Sequence, residues 1–365
     1  MAGALGRMST GVFKVLSIDG GGIKGVYTAT MLRVLEHALA KTSGHARLGD
    51  YFDLICGTST GALIALGLAA GRTCDEIADT YVKKGPKIFS DQCRLSQAFY
   101  SVRQLLFSAR YRAKDLRQAV IDLLGERTFS EANNYLLVPV TNLGNYTPRI
   151  FKTRHSRIYY DGDSRMVDIA LASAAAPTYF PIVPAPDARN GLYADGGLVA
   201  NNPALLGAFE AFRIFVGPAS ERNEFNELAM LSLGSYGSPQ GFRRRWLSHG
   251  TRLNRSTLGW AVPQANNIPL LNVLMDGQTA LAERAVTIFK EFTPAFVHYC
   301  RVDAMRCKSR ATPDSELLSF NLADARPHKL KQLEGYGMMD GQSAATDPAV
   351  RYFFETVRRP ITLHN

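Results

Sequence analysis

Residues 13–25 have the sequence FKVLSIDGGGIKG. The apolar run of residues 13–18 predicts a short buried strand, and three consecutive glycines end that strand before a helical pattern begins. Residues 52–70 repeat this order, because FDLIC predicts a strand, GTSTG predicts a tight turn and the apolar residues after it predict a helix. Two strand–turn–helix units near the start of the chain predict an α/β fold with a mainly parallel central sheet.

The rest of the chain divides into two parts. Further strands are predicted at residues 135–142, 149–153 and 227–233, and further helices at residues 75–84, 113–124, 166–175, 203–215 and 270–292. After Leu233 the sequence becomes rich in Arg, Gly, Pro and Asn, so we expect the sheet to end there. We therefore expect an α/β domain of residues 12–235 and a mainly helical C-terminal extension of residues 240–365 that packs on it.

The composition is that of a folded, basic protein. The chain has 365 residues, of which 46% are hydrophobic, so it can bury a large core. Its 42 Lys and Arg residues outnumber its 32 Asp and Glu residues, and the net charge of +10 favours phosphate-bearing partners. The five cysteines are odd in number and form no Cys-x-x-Cys pair, which argues against a disulfide scaffold and a zinc site and favours a reducing compartment.

No segment of the sequence predicts insertion into a membrane. Gly, Arg, Ser and Thr interrupt the N-terminal stretch before an apolar run of signal-peptide length can form. The longest uncharged apolar run, residues 62–70, is far shorter than the ~20 residues that span a bilayer. We expect a cytoplasmic protein that meets the inner membrane only at its surface.

The turn GTSTG at residues 57–61 is a Gly-x-Ser-x-Gly sequence. A serine on a sharp strand-to-helix turn is exposed for nucleophilic attack, and the flanking Gly57 and Gly61 let neighbouring backbone approach closely. The alternative is an ordinary serine at the start of a helix. The placement of Ser59 directly after a strand and before an apolar helix favours the catalytic interpretation.

The loop DGGGIKG at residues 19–25 can form an anion site. Successive amides of Gly20, Gly21 and Gly22 can point into one concavity, and Lys24 adds positive charge. For acyl transfer the bound anion would be the tetrahedral oxyanion. The same loop satisfies Gly-x-Gly-x-x-Gly, so a dinucleotide-binding oxidoreductase is an alternative. That fingerprint requires an acidic residue about 20 residues further on, at the end of the second strand. Here the second predicted strand ends in Gly-Thr-Ser instead.

Asp195 is the third candidate, 136 residues after Ser59. It follows the short apolar segment LYA and precedes two glycines, so its carboxylate is held close to backbone and can face a cleft. The alternative is that this aspartate only forms a turn.

These elements, in this order, resemble the patatin-like phospholipases. DGGGIKG is similar to their oxyanion block, GTSTG to their nucleophile turn and DGG to the block that holds a catalytic aspartate, and ASAAAPTYFP at residues 172–181 is similar to a further family segment. The resemblance implies a three-layer α/β fold, a catalytic domain within residues 12–235, Ser59 as nucleophile, Asp195 as its partner, and no metal or cofactor. Lys24 stands where many members have Arg.

The resemblance also implies a mechanism and a substrate class. Asp195 would accept the Ser59 proton as Oγ attacks a phospholipid acyl ester, and water would release the fatty acid from the acyl-serine, as in a phospholipase A. A Ser-Asp-His triad is the competing hydrolase hypothesis. It needs a histidine after Asp195, and none of the four candidates lies in a motif framed by glycines or turns; they are His249, His298, His328 and His364.

Residues 241–255 carry five arginines and no acidic residue. A solvated basic face, an anionic-membrane contact and a nucleotide-phosphate site are all consistent with this stretch, in which Arg243, Arg244 and Arg245 are the leading candidates.

The layout of the whole chain, a patatin-like core followed by further residues, resembles bacterial anti-phage phospholipase effectors that a cyclic dinucleotide such as cGAMP activates. That resemblance implies cyclic-dinucleotide gating of an enzyme that acts on the phospholipid membrane surface, without a nucleic-acid partner. Self-association is left open by the sequence. The functional alternatives are the dinucleotide-binding oxidoreductase and a non-catalytic interaction protein with the same fold.

Overall fold

The computed structural model describes residues 11–43, 47–89, 111–155, 161–184, 191–236, 269–304 and 322–358. Within these ranges one sheet contains the strands β1 (Val12–Ile18), β2 (Leu54–Gly57), β3 (Tyr135–Asn142), β4 (Thr147–Lys152), β5 (Val183–Pro184), β6 (Leu192–Ala194), β7 (Glu227–Leu233) and β8 (Phe296–Val302). The longer helices of these ranges are α1 (Gly25–Ser43), α2 (Thr60–Ala69), α3 (Cys74–Ile88), α4 (Ala113–Leu124), α5 (Met166–Ser173), α6 (Ala204–Ile214), α7 (Pro269–Phe292) and α8 (Pro327–Thr346).

The sheet is built around β1. This strand pairs in parallel with β2 on one side and with β7 on the other, and β3 and β8 extend the parallel part outward. β4 and β6 pair antiparallel with β3, and β5 pairs antiparallel with β6. Because β1 and β2 are parallel neighbours, the glycine loop after β1 and the serine turn after β2 leave the sheet side by side.

Side chains of β1 alternate between two separate cores. Leu16 and Ile18 pack on one face of the sheet with helices α1 to α5 and α8, whereas Phe13 and Val15 pack on the other with α6 and the C-terminal half of α7. Successive side chains of a strand point to opposite faces, so each face is covered by a helical layer. The predicted three-layer α/β architecture with a mainly parallel sheet is confirmed.

The prediction that the sheet ends at Leu233 is wrong. β8 pairs in parallel with β7 and continues the sheet beyond it. Apart from β8, the described residues after 268 are mainly helical, and α8 packs along α1. The division into residues 12–235 and 240–365 therefore remains a proposal, in which the second part supplies one strand to the sheet of the first. None of the helices within the described ranges is long and apolar enough to cross a membrane.

Candidate active site

Ser59 lies in the turn between β2 and α2, in a backbone conformation that few side chains adopt. Its φ of 53° and ψ of −121° lie outside the regions favoured by residues other than glycine. The amide of Ser59 donates a hydrogen bond to Ser173 Oγ, at the end of α5, at 3.0 Å. The turn is thus held from α5, and the Ser59 side chain is buried at the start of α2.

Gly57 and Gly61 allow this turn to close against its neighbours. A Cβ atom at Gly61 would overlap the carbonyl oxygen of Ile18, at the end of β1, and a Cβ atom at Gly57 would overlap the carbonyl oxygen of Gly61. The serine turn therefore lies directly against the point where the chain leaves β1 for the glycine loop.

Asp195 directly follows β6, and its carboxylate lies next to the Ser59 hydroxyl. Ser59 Oγ donates a hydrogen bond to Asp195 Oδ2 at 2.7 Å, and the Gly197 amide donates to Asp195 Oδ1 at 2.6 Å. Burial raises the pKa of Asp195 to about 6, although the hydrogen bonds from Gly197 and Ser59 act in the opposite direction. A carboxylate with this pKa is a stronger base than an ordinary aspartate and is still ionised at neutral pH.

The backbone of Asp195 is fixed by neighbouring strands and by the 172–181 segment. Its amide donates to Ala175 O at 2.9 Å, and its carbonyl accepts from Thr141 Oγ1 at 2.7 Å. Ser173 in the same segment also donates to Pro139 O at 2.9 Å, so its hydroxyl links β3 to the serine turn. The sequence did not predict this role of Ser173. The only signal was its position in the 172–181 segment, which is similar to a segment of the family.

The glycine loop offers two amides, not three. The Gly20 amide donates to Asn201 O at 3.0 Å and is already engaged. Within the described residues, the amides of Gly21 and Gly22 have no hydrogen-bond acceptor. Gly22 has a φ of +57°, and a Cβ atom there would overlap the carbonyl oxygen of Leu322, so this position requires glycine. Gly21 and Gly22 are the remaining candidate donors to an oxyanion.

Lys24 is half-buried and does not line the cavity next to Ser59. Its charge acts instead on Asp276 of α7, where burial raises the pKa of the carboxyl and Lys24 partly offsets that effect. Arg243, Arg244 and Arg245 lie outside the described residues.

A cavity opens beside Ser59, Asp195 and Gly22. The wall is mostly apolar and is drawn from α2, α3, α4, the 172–181 segment, α7 and the residues just before α8; it includes Leu63, Tyr81, Ile88, Phe89, Leu116, Ala119, Tyr179, Phe180, Met275 and Leu322. A polar cluster at one end of an apolar chamber suits a ligand with a carbonyl group and a long apolar tail.

No histidine of the described ranges lines this cavity or hydrogen-bonds to Ser59 or Asp195. His298 bonds instead to Ala349 O at 2.7 Å, and His328 is exposed. His249 and His364 lie outside the described residues. In the same ranges no three His, Cys, Asp or Glu side chains are grouped as metal ligands.

The comparisons with known proteins agree with this architecture. The sequence profile described as "Patatin-like phospholipase" matches residues 16–207, more than half of the chain. A protein of Vibrio cholerae named "cGAMP-activated phospholipase" is 36% identical over 230 residues, which are 61% of this chain and 64% of that protein. A protein of Escherichia coli with the same name is 39% identical over 204 residues, 55% of this chain and 56% of that protein.

The chain thus spans about six-tenths of the length of these curated relatives. The crystal structure of VipD from Legionella pneumophila aligns with 90% of this chain and 67% of that chain at 12% identity, with a TM-score of 0.36 that is too low to establish a shared fold. The profile match, which covers the glycine loop, the serine turn and Asp195 in one stretch, establishes that the chain belongs to the patatin-like phospholipase family.

Proposed function

We propose that this chain is a lipid acyl hydrolase of the phospholipase A type, in which Ser59 is the nucleophile and Asp195 the base. The observation that carries the proposal is the 2.7 Å hydrogen bond from Ser59 Oγ to Asp195 Oδ2 at the end of an apolar cavity. The cavity suits an acyl chain, and the hydrogen-bonded hydroxyl suits attack on the ester carbonyl of that chain.

These positions support a two-step reaction. Asp195 Oδ2 accepts the Ser59 proton as Oγ bonds to the carbonyl carbon, and the amides of Gly21 and Gly22 donate to the oxygen that becomes negative. The tetrahedral intermediate collapses, the protonated Asp195 returns its proton to the departing lysophospholipid alkoxide, and an acyl-serine remains. Water then gives a proton to Asp195 and attacks the acyl carbonyl. As the second tetrahedral intermediate collapses, the bond from Ser59 Oγ to carbon breaks, Asp195 returns that proton to Oγ, and the fatty acid is released.

The substrate reaches this site from a membrane surface. One side of α7 carries an exposed apolar row, here called the α7 stripe: Leu270, Val273, Leu274, Leu281, Ile288 and Phe292, each 42–81% exposed. Their spacing places them along one side of a helix. Met275 on the same helix lines the cavity, so the stripe and the cavity share this helix. The net charge of +10 favours an anionic bilayer as the occupant.

In this proposal a cyclic dinucleotide such as cGAMP activates the enzyme, and the activated enzyme acts in anti-phage defence. The support is that the two relatives reported above carry the name "cGAMP-activated phospholipase". Arg243, Arg244 and Arg245 are the proposed contacts to its phosphates, because arginine forks match phosphate oxygens.

Covalent labelling tests the hydrolase proposal directly. Wild-type protein is treated with a fluorophosphonate, and fatty-acid release from phosphatidylethanolamine and phosphatidylglycerol vesicles is measured with and without cGAMP. We expect labelling of wild type and none of Ser59→Ala, with fatty-acid release lost in the same variant. The absence of labelling in a folded wild type would refute the proposal. NAD(P) binding without labelling would instead favour the oxidoreductase alternative, and neither result would favour the interaction protein.

Vesicle co-sedimentation tests the α7 stripe separately. In a Ser59→Ala background, Leu281→Glu should reduce binding to phosphatidylglycerol-containing vesicles at least fivefold, whereas Met339→Glu on α8, which replaces another exposed apolar residue, should not. With Ser59 present, Leu281→Glu should leave hydrolysis of a soluble short-chain ester unchanged. Equal vesicle binding by both variants, or a change of oligomeric state in Leu281→Glu alone, would contradict the membrane contact.

Nucleotide titration tests the gate. We expect cGAMP at micromolar concentration to raise fatty-acid release at least tenfold, and Arg243→Ala, Arg244→Ala and Arg245→Ala together to shift the required concentration upward. High release without nucleotide, or no response to any cyclic dinucleotide, would refute gating and leave the hydrolase proposal intact. Protection of cells from phage by wild type and not by Ser59→Ala would support the defence role.

A further inference from the structure

A buried ion pair joins β8 to the first residue of the glycine loop. Arg301 Nη1 donates to Asp19 Oδ1 at 3.0 Å and Nη2 donates to Asp19 Oδ2 at 2.6 Å, so the guanidinium holds both carboxylate oxygens. The side chains are 3% and 2% exposed. Arg301 Nη1 also donates to Ser232 Oγ at 2.8 Å, and Nε donates to Asp303 Oδ2 at 3.3 Å.

This arrangement fixes orientation as well as distance. A paired fork of two parallel N–H···O bonds allows little rotation of the carboxylate. Burial alone would lower the pKa of Arg301, but the charge of Asp19 and the hydrogen bonds to it raise the pKa above its ordinary value, so the guanidinium is charged. The Asp19 amide donates to Leu233 O at 3.0 Å, and the residue is therefore held through both its backbone and its side chain.

Asp19 leads directly into the candidate oxyanion donors. Gly21 and Gly22 follow it by two and three residues, and each is packed tightly: a Cβ atom at Gly21 would lie 2.5 Å from Ser235 Cβ, and one at Gly22 would overlap Leu322 O. The Ile23 amide donates to that same Leu322 oxygen at 2.8 Å. The near end of the loop is held by the Gly20 amide, which donates to Asn201 O, and by Asp19. The carboxylate of Asp19 is the side-chain restraint at that end.

We propose that Arg301 is a positioning residue, which orients the amides of Gly21 and Gly22 through Asp19. Arg301 contacts neither Ser59 nor Asp195, and it lies on β8, outside the stretch matched by the family profile. The inference rests on the proposed hydrolase function and adds that the C-terminal part of the chain completes the site. A rotation of the carboxylate would turn the loop amides away from the oxyanion, which forms only during the reaction, so the rate of the chemical step depends on Arg301 more than substrate binding does.

Arg301→Lys in the full chain is the main test, because lysine keeps the charge but cannot form the paired fork. The matched control is Arg149→Lys, which changes another buried Arg–Asp pair, with Asp161, and neither of these residues lines the cavity. Steady-state kinetics on a soluble ester, the rate of fluorophosphonate inactivation and circular dichroism are measured for each variant. We expect Arg301→Lys to lower kcat and the inactivation rate by ~10–100-fold, below the ~10²–10³ for complete loss of an oxyanion donor, with KM within threefold.

The pH dependence separates positioning from general damage. Because Asp195 is untouched, the apparent pKa of kcat/KM should be the same in Arg301→Lys and wild type. Asp19→Asn is the second variant, for the case in which Arg301→Lys does not fold. We expect Asp19→Asn to fold, because Arg301 retains Ser232 and Asp303 as partners. It should lower kcat to a similar extent.

Three results would overturn the inference: kcat within twofold of wild type in a folded Arg301→Lys or Asp19→Asn, an equal loss of kcat in Arg149→Lys, or a loss confined to KM. A wild-type enzyme that is not labelled would instead refute the proposed function, so the two failures are distinguishable.

Discussion

Replacing Asp195 with asparagine should abolish hydrolysis and at the same time stabilise the folded protein at neutral pH. Burial raises the pKa of this carboxyl from 3.8 to about 6, so the folded state binds its proton more tightly than the unfolded state does. Below pH 3.8 the group is neutral in both states and carries no penalty. As pH rises through the two pKa values the carboxylate destabilises the fold, by about 3 kcal/mol at pH 7.5 and about 1 kcal/mol at pH 4.5.

Asparagine retains the shape of the neutral acid. Its Oδ1 can accept from the Gly197 amide, and its Nδ2 can donate to Ser59 Oγ, since a hydroxyl accepts as well as donates. We therefore expect Asp195→Asn to gain about 1–3 kcal/mol of unfolding free energy at pH 7.5, which raises Tm by roughly 1–4 °C for a chain of this size. The gain should shrink by about 2 kcal/mol at pH 4.5.

Thermal and urea unfolding of wild type and Asp195→Asn at both pH values provide the assay. Asp161→Asn is the matched control, because Asp161 is a buried carboxylate that pairs with Arg149, so its neutralisation removes a favourable charge interaction. That control should lose stability rather than gain it. An Asp195→Asn variant that is no more stable than wild type at pH 7.5, or whose gain is the same at pH 4.5, would refute the reasoning that buried charge at Asp195 is held at the expense of stability.

The other predictions concern rate and geometry. The kcat/KM of wild type should rise with pH and reach half its plateau near pH 6, where an ordinary aspartate would give a midpoint near 4; a midpoint at 4 would exclude Asp195 as a base of raised pKa. Ser173→Ala removes the acceptor for the Ser59 amide and should lower kcat at least tenfold, measured beside Tm to exclude unfolding. Gly22→Ala forces a Cβ atom against Leu322 O and should slow fluorophosphonate inactivation at least 100-fold. His298→Gln should leave kcat within a few-fold of wild type, and a large loss of kcat in this variant would favour a Ser-Asp-His triad.

Local sequence was sufficient to predict the elements whose apolar residues form one continuous pattern. The strands at residues 135–142 and 227–233 and the helix at residues 113–124 have the bounds predicted for them. In each of these segments the residues within the element decide its conformation, because the hydrophobic period matches the fold and glycine or polar residues mark the ends.

β8 was missed for a physical reason that involves a distant residue. Its sequence FVHYCRV is rich in aromatic and β-branched residues, which is the signal that could have found it. Arg301 in that run is unfavourable in a buried strand unless it is paired, and its partner Asp19 lies 282 residues away. The contacts of the glycine loop were also not predictable from local sequence, because they come from residues far along the chain. The Gly20 amide donates to Asn201 O, and Leu322 O lies against Gly22.

These long-range contacts change what the C-terminal part of the chain can do. Met275 and Leu322 line the cavity, and Leu322 and Arg301 hold the two ends of the glycine loop. A ligand that shifts these residues relative to β1 would alter the cavity and the candidate oxyanion donors together, without touching Ser59 or Asp195. If cGAMP binds the C-terminal part, as we propose, displacement of the elements that hold the loop would give it a way to switch the chemical step without a separate lid.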